Sequence, residues 1–251
     1  MRFKERVAII TGGGQGIGRS YAKAFADEGA AVVVADINGD RAKVVAKEIT
    51  DAGGRAIAAA VDISDKAAVD KMVVDTLGAF GTVDILINNA AIFSTLTMKP
   101  FDEIPVDEWD KVQAVNSRGV FLCCQAVSKT MKAKRYGKIV NISSSVVVTG
   151  RANYAHYVAS KGAVVALTRA LATELGKFEV NVNAISPHGI VTEIPRATIT
   201  EDQWASILAA QAIQRKGDAA DMIGPTLFLA SDDSRYMTGQ TLNVDAGLRF
   251  N

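Results

Sequence analysis

The chain has 251 residues, of which 49% are hydrophobic and 22% are charged, and its 28 Lys and Arg residues against 27 Asp and Glu residues give a formal net charge of +1. So many apolar residues with so little net charge argue against a disordered chain. The sequence has no Lys/Arg-rich run, so it offers no electrostatic surface for nucleic acid. The first apolar run, Val7–Ile10, is much shorter than a signal-peptide core or a membrane span, and we therefore expect a cytoplasmic protein with no membrane partner.

The two cysteines, Cys123 and Cys124, are neighbours in the sequence. Adjacent cysteines are poorly placed to bridge each other or to supply a spaced set of zinc ligands. We expect both to be reduced core residues on a helix, and we expect no metal site.

Short runs rich in Val and Ile alternate with longer Ala-rich segments of helical period. This alternation predicts an α/β fold: a single domain over residues 1–251, with a doubly wound, parallel seven-stranded sheet and helices on both faces. The predicted strands are Val7–Ile10, Ala31–Ala35, Ile57–Val61, Ile85–Ile87, Lys138–Ile142, Val180–Ile185 and Thr241–Val244. The segment 187–204 is the least regular, because Pro195 interrupts it, and we expect it to be a loop over a site.

The glycine-rich segment Thr11–Gly18 (TGGGQGIG) joins the first predicted strand to the first helix. Glycines there let the backbone approach a pyrophosphate, and the helix N-terminus offers unpaired N–H groups. Asp36 stands at the end of the second strand, 18 residues after Gly18, where a carboxylate can accept hydrogen bonds from ribose hydroxyls and would repel a 2′-phosphate. Gln15 and Ile37 supply no cation for that phosphate, so NAD is favoured over NADP. The alternative for the glycine-rich segment is an ordinary strand-to-helix connection, and the alternative for Asp36 is a loop or capping residue.

Tyr157 and Lys161 are spaced i, i+4 in an Ala-rich helical segment that continues to about Leu175, so they share one helix face. A free Tyr has a pKa near ~10, and a neighbouring cation lowers it toward the range useful for acid/base catalysis. This spacing also arises by chance and is weak alone. Upstream, the strand Lys138–Ile142 ends in Ser143-Ser144-Ser145, which places hydroxyls at the carboxyl end of a strand, where open α/β sheets bind ligands.

Several motifs in the same order make the sequence resemble the classical short-chain dehydrogenase/reductase family, and within it the NAD-dependent alcohol dehydrogenases. The resemblance covers nearly the whole chain. The matching motifs are Thr11–Gly18 (TGxxxGxG), Asp62-Ile63 (the adenine-contacting pair), Asn88–Ala91 (NNAG), Asn116 (the catalytic Asn) and Tyr157/Lys161 (YxxxK). The family's active serine precedes the tyrosine by 13 residues, which selects Ser144. Tyr154 has Val158 four residues on instead of Lys, so Tyr157 is selected as the tyrosine.

The resemblance implies a role for each of these positions. Tyr157 would be the acid/base, Ser144 would hold the reacting oxygen, Lys161 would lower the tyrosine pKa and bind the nicotinamide ribose, and Asn116 would help to carry a water chain to solvent. The implied cofactor contacts are Gly12, Gln15, Gly16, Ile17, Gly18, Asp36, Asp62, Ile63, Asn89, Tyr157, Lys161, Ile190 and Thr192. The family usually forms homotetramers, here through segments near Phe101–Lys132, Tyr157–Leu175 and Thr238–Phe250.

Two positions depart from the family pattern. Ala91 replaces the last Gly of NNAG, which narrows the pocket by one methyl group. His188 stands where the family usually has Gly after Pro187. One hypothesis is that its imidazole binds a polar group of the substrate together with Ser144 and Tyr157, and the alternative is that His188 only reshapes the loop while Gly189 supplies the flexibility. His156, beside Tyr157, is expected to lie at the surface.

The remaining expected pocket residues are mostly apolar, which suits a secondary alcohol or ketone of small or medium size with a hydrophobic part. They are Ile92, Phe93, Ser145, Val146, Tyr154, Ile194 and Trp204. Arg151 and Arg196 are either solvated surface residues or partners of an anionic substrate group. Three functions remain: an NAD-dependent alcohol dehydrogenase, an NADPH-dependent reductase of the 3-ketoacyl-carrier-protein type, and a non-catalytic dinucleotide sensor.

Overall fold

Seven parallel strands form one sheet in the order β3-β2-β1-β4-β5-β6-β7 in the computed structural model, which describes residues 1–194 and 201–250. The strands are β1 Val7–Thr11, β2 Ala31–Asp36, β3 Arg55–Ala60, β4 Ile85–Asn88, β5 Gly137–Ile142, β6 Val180–Pro187 and β7 Thr241–Val244. All seven predicted strands are confirmed, with bounds that differ by at most two residues. The α/β fold with a parallel sheet is confirmed with them.

Helices connect the strands and cover both faces of the sheet. They are α1 Gly16–Asp27, α2 Gly39–Asp51, α3 Lys66–Phe80, α4 Val106–Gln113, α5 Val120–Lys134, α6 Val146–Thr149, α7 Ala155–Leu175, α8 Glu201–Ala209 and α9 Ala219–Ala230. A π-helical turn, Ala114–Gly119, joins α4 to α5. The prediction of a loop over residues 187–204 was partly wrong, because the last four of these residues begin α8. Residues 195–200, including Pro195, lie outside the described part of the chain.

The strands read as continuous apolar runs because both of their faces are buried. In β2, Val32 and Val34 pack in one core with Tyr21 and Phe25 of α1. Val33, which points to the opposite face, belongs to a second core built mainly with α3, α5 and α7. Each fully buried side chain of this size contributes about 1.5–3 kcal/mol through the hydrophobic effect.

Cys123 and Cys124 lie on α5 and are buried in the second core as free thiols, as predicted. Burial raises the pKa of both thiols, since the thiolate loses its hydration. Neither cysteine is therefore activated as a nucleophile.

The strand order reverses at β1, which lies between β2 and β4. The carboxyl ends of parallel strands meet at one edge of the sheet, and the crevice at such a reversal is where open α/β sheets bind ligands. The glycine-rich turn after β1, Asp36 at the end of β2 and the three serines after β5 therefore lie along the same edge. Within residues 1–194 and 201–250, no helix is long and apolar enough to cross a membrane.

Candidate active site

A single cavity of about 1040 Å³ extends along this edge of the sheet, from the end of β2 to α8. Most of the predicted site residues line it: Gly12, Gln15, Ile17, Gly18, Asp36, Asp62, Ile63, Asn89, Ser144, Tyr157, Lys161, His188, Ile190 and Thr192. Two predicted residues, Gly16 and Asn116, do not contribute to its wall. The fold thus brings together residues that are up to 180 positions apart in the sequence.

The glycine-rich turn is held against the end of β4 by direct backbone contact. A Cβ on Gly18 would lie 1.9 Å from the carbonyl oxygen of Gly12, and a Cβ on Gly12 would lie 2.9 Å from Cα of Ala90. Thr11 Oγ1 accepts hydrogen bonds from the backbone N–H groups of Asn89 (3.0 Å) and Ala90 (3.1 Å). The glycines are therefore required by close approach, and the Asn-rich motif after β4 supports the turn.

The first turn of α1 is capped by a residue that sequence reasoning missed. Gln15 precedes the helix and makes no side-chain capping bond. Gly16 N–H instead donates to Glu193 Oε1 at 2.7 Å. This hydrogen bond lowers the pKa of Glu193 below its ordinary value of 4.5, so the carboxylate is ionised at neutral pH. Because Glu193 is 177 positions away from Gly16, no local sequence pattern could have predicted the contact.

Asp36 is buried at the end of β2, where its two carboxylate oxygens have separate partners. Oδ2 accepts a hydrogen bond from Gly14 N–H at 2.9 Å, and Oδ1 accepts one from Asn38 N–H at 2.9 Å. Arg41 of α2 donates to the side chain of Gln15 beside this carboxylate. Gln15 and Ile37 themselves supply no cation, but Arg41 brings one next to Gln15, and the sequence analysis did not consider this residue.

The three serines after β5 have different partners. Ser143 Oγ donates to the carbonyl oxygen of Lys161 at 3.1 Å, which ties β5 to α7. Ser145 Oγ is paired with Nδ1 of His188 at 2.7 Å. Ser144 lines the cavity, and among the described residues its Oγ has one partner, Val146 N–H, which donates a long hydrogen bond of 3.4 Å to it. Ser144 is therefore the serine whose hydroxyl is best placed to meet a bound molecule.

Tyr157 and Lys161 lie one turn apart on α7, and Lys161 Nζ is 5.7 Å from the centroid of the Tyr157 ring. The ammonium group is buried and donates to the carbonyl oxygen of Ile142 at 2.7 Å. Because burial removes its hydration, the pKa of Lys161 falls from 10.5 to about 8. The ring of Tyr157 packs on Phe93, with ring centroids 4.8 Å apart. This packing fixes the direction of the phenol, and the low polarity around it strengthens its interaction with a cation.

Asn116 is fully buried within the π-helical turn and stands behind the cavity wall. Its amide oxygen accepts a hydrogen bond from Ile92 N–H at 2.7 Å, and its amide nitrogen donates to Ile92 O at 3.0 Å. The amide nitrogen also lies 3.2 Å from Ser160 Oγ, in the turn of α7 that contains Lys161. Asn116 thus links the segment after β4 to α7, and π-helical turns of this kind are frequent at functional sites.

His188 lines the cavity, and its backbone N–H donates to the carbonyl oxygen of Val244 at 3.1 Å, so the end of β7 anchors it. The hydrogen bond to Ser145 restrains its ring. Gly189, with φ +62°, takes the left-handed conformation that favours glycine. The chain therefore accommodates an imidazole at position 188 without backbone strain at that residue.

The expectation that His156 lies at the surface was wrong, because this residue is fully buried. Its Nε2 lies 3.0 Å from Glu108 Oε1, and Glu108 Oε2 accepts a hydrogen bond from Lys99 at 3.0 Å. The position next to Tyr157 does point away from the cavity, but α4 packs against that side of α7 and buries it. Periodicity places a residue on a face without indicating what covers the face.

Six of the seven further residues predicted for the pocket line the cavity: Ile92, Phe93, Ser145, Val146, Ile194 and Trp204. Tyr154 does not, because its ring lies behind Phe93 and its hydroxyl donates to Phe93 O at 3.0 Å. Arg151 also lines the cavity, with its guanidinium 5.5 Å from the ring centroid of Tyr154. Arg196 lies outside the described residues. Among those described, no group of three or more His, Cys, Asp or Glu side chains could hold a metal ion.

Comparison with known proteins gives consistent matches along the whole chain. Residues 12–249 match the family model described as enoyl-(acyl carrier protein) reductase. The chain is 40% identical to the (2S)-[(R)-hydroxy(phenyl)methyl]succinyl-CoA dehydrogenase subunit BbsD of Thauera aromatica, over 98% of both chains. It is 36% identical to the 3-oxoacyl-[acyl-carrier-protein] reductase FabG of Staphylococcus epidermidis, over 96% of this chain and 98% of that one. A solved 7α-hydroxysteroid dehydrogenase, complexed with NADH and 7-oxo glycochenodeoxycholic acid, is 34% identical with a TM-score of 0.93, over 100% of this chain and 97% of that one.

The chain belongs to the short-chain dehydrogenase/reductase family and is an oxidoreductase. Members of this family bind a nicotinamide dinucleotide and act on small molecules. The residues present fit such a cofactor, because Gly12 and Gly18 lack side chains where a Cβ would clash, and the backbone of the turn there lies open to the cavity. Asp36 adds a carboxylate at the end of β2, a group that can accept hydrogen bonds from ribose hydroxyls.

Proposed function

We propose that the protein is an NAD-dependent dehydrogenase that interconverts a secondary alcohol of small or medium size and its ketone. The observation that carries this proposal is the continuous cavity, which is lined by Ser144, Tyr157 and Lys161 and also by residues of the glycine turn and by Asp36. When bound, the nicotinamide would accept or supply the hydride.

The proposed cofactor contacts follow the cavity wall from one end to the other. Asp36 would bind the adenosine ribose, the Asp62-Ile63 pair would border the adenine, and the turn Gly12–Gly18 would receive the pyrophosphate at the start of α1. At the end of the cavity near Tyr157, the nicotinamide ribose and the carboxamide would contact Asn89, Ile190 and Thr192.

Tyr157 would act as the acid/base of the reaction. In oxidation its phenolate takes the proton of the alcohol hydroxyl, and in reduction its phenol returns a proton to the carbonyl oxygen. Ser144 donates a hydrogen bond to the same oxygen and holds it in place. The Lys161 cation favours the phenolate form of Tyr157.

Asn116 acts as a positioning residue in this proposal. Its side chain is committed to the backbone of Ile92 and to Ser160, so it fixes α7 relative to the segment after β4. The water chain that the family resemblance implies stays a prediction.

Asp36 supports NAD as the cofactor, because its buried carboxylate would repel a 2′-phosphate. One observation favours the alternative, an NADPH-dependent reductase of the ketoacyl-carrier-protein type. The Arg41 guanidinium lies beside Gln15 at this end of the cavity, where it could partner a 2′-phosphate. We favour NAD because the guanidinium is at the rim, whereas the carboxylate lies in the cavity wall next to the turn.

The substrate end of the cavity combines an apolar wall with one polar anchor. Ile92, Phe93, Val146 and Trp204 supply the wall, which suits a hydrophobic part of the substrate. His188, held by Ser145, would hydrogen-bond a polar group next to the reacting carbon.

A homotetramer is proposed on the family resemblance. Among the described residues of the expected interface segment 101–132, Phe101, Val106 and Phe121 are exposed apolar side chains that an assembly would cover. Analytical ultracentrifugation tests this directly, with a tetramer expected and a monomer at micromolar concentration contradicting it.

Measuring reduction of NAD and of NADP over a panel of secondary alcohols, polyols, hydroxy acids and 3-hydroxyacyl thioesters tests the proposed function. We expect turnover with NAD and an alcohol that has an apolar group. A large preference for NADP together with a thioester would instead establish the alternative. Dinucleotide binding with no turnover of any substrate class would favour the non-catalytic sensor.

A further inference from the structure

The carboxylate of Glu193 lies on the first N–H group of α1. Gly16 N–H donates to Glu193 Oε1 at 2.7 Å, and Gly16 is buried and absent from the cavity wall, whereas Gln15 and Ile17 on either side of it line the cavity. A helix N-terminus with free N–H groups attracts an anion, and here the anion comes from the chain itself.

The residues beside Glu193 complete the cover over this turn. A Cβ built on Gly16 would lie 2.9 Å from Cδ1 of Ile194 and 3.8 Å from Cγ2 of Thr192. The segment 192–194 therefore packs directly on Gly16, at the position where the pyrophosphate of a dinucleotide would approach α1.

The chain just before this segment is firmly held. Val191 N–H donates to Gly217 O at 2.8 Å, and Gly217 N–H donates to Gly189 O at 3.0 Å. These backbone hydrogen bonds hold residues 189–191, so Glu193 can leave Gly16 without displacing them.

We propose that the Glu193 carboxylate occupies a phosphate position of the dinucleotide site and is displaced when the dinucleotide binds, so that Glu193 weakens dinucleotide affinity. The proposal rests on the dinucleotide-binding part of the proposed function. Two anions cannot share one N–H group, and the repulsion between a carboxylate and a pyrophosphate in a partly buried site adds to the competition.

Calorimetric titration of the apoprotein with NAD tests this in wild type and in Glu193→Ala. A carboxylate capping a helix N-terminus contributes about 1 kcal/mol, which corresponds to about fivefold in an equilibrium constant. We therefore expect Glu193→Ala to bind NAD about fivefold more tightly, and Glu193→Gln, which keeps a neutral acceptor, to show a smaller gain. Glu179→Gln removes a charge from an exposed residue elsewhere and is expected to leave the Kd unchanged.

Two further readouts separate competition from a general structural effect. Affinity for ADP is expected to rise with that for NAD, whereas affinity for adenosine, which has no phosphate, is expected to stay the same. The Tm of the ligand-free protein is expected to fall in Glu193→Ala, because the cap of α1 is lost. An unchanged or weaker affinity for NAD in both Glu193 variants would overturn the proposal. Failure of wild type to bind any dinucleotide would instead refute the proposed function.

Discussion

Replacement of Lys161 by Met is expected to stabilise the ligand-free protein at neutral pH, although it removes a proposed catalytic group. Burial lowers the pKa of Lys161 from 10.5 to about 8, so the folded state disfavours the ammonium form. At about 1.4 kcal/mol per pKa unit, this penalty is about 3 kcal/mol when both the folded and the unfolded chain carry the proton. Losing the hydrogen bond from Nζ to Ile142 O offsets about 1 kcal/mol of the gain, which leaves the variant more stable by about 2 kcal/mol.

The pH dependence gives the sharper test. Below about pH 8, Lys161 is protonated in both the folded and the unfolded chain, and the stability of wild type is lowered by the full cost of burying the ammonium group. Between about 8 and 10.5 the unfolded chain binds more protons than the folded one, so wild-type stability rises with pH. Above 10.5 the penalty is gone. The difference in free energy of unfolding between wild type and Lys161→Met therefore changes by about 3 kcal/mol between pH 8 and pH 10.5. This change does not depend on how much the lost hydrogen bond contributes.

Urea unfolding of both proteins at a fixed protein concentration, from neutral pH to above 10.5, measures this difference. Groups common to both chains titrate equally and cancel. Lys4→Met changes an exposed lysine in the same way and is expected to show no such dependence. A difference between wild type and Lys161→Met that stays constant across the pH range would refute the desolvation argument.

Three other substitutions probe the two ends of the cavity. His188→Ala is expected to lower kcat/KM by about fivefold for a substrate with a polar group beside the reacting carbon. This factor corresponds to the loss of one hydrogen bond of about 1 kcal/mol. An unchanged kcat/KM would show that this residue only shapes the loop. Asp36→Ala is expected to lower the ratio of kcat/KM for NAD to that for NADP by at least about tenfold, since the repulsion of a 2′-phosphate is lost. Adding Arg41→Ala to that variant is expected to lower kcat/KM for NADP again while leaving kcat/KM for NAD unchanged. If neither substitution changes the ratio of the two kcat/KM values, Asp36 does not determine the cofactor preference.

The strands and the main site residues could be predicted because their signals are local. Each strand is a run of apolar residues buried on both faces, and the helix from Tyr157 follows from periodicity. Parallel strands place their carboxyl ends at one edge of the sheet, so the glycine turn, Asp36 and the serines 143–145 could be placed together before the fold was known. The choice of Ser144 among the three serines came from the family resemblance.

The features that sequence reasoning missed depend on contacts between distant segments. Glu193 caps α1 from 177 positions away in the sequence, and Arg41 reaches Gln15 from the next helix. His156 is buried because α4 covers that side of α7, and no pattern within α7 indicates this cover. Trp204 was expected in an irregular segment but lies in α8, because a proline and a cluster of Thr residues predict a loop without locating where the next helix begins.

The most direct test of the proposed mechanism is Tyr157→Phe, with turnover and NAD binding measured on the same preparation. The ring and its packing on Phe93 are retained, and only the phenolic oxygen is removed. The proposal predicts that kcat falls by about 10³-fold, within the range of general acid/base catalysis, while the Kd for NAD changes by less than about twofold. Undiminished turnover in Tyr157→Phe would contradict the acid/base role of Tyr157.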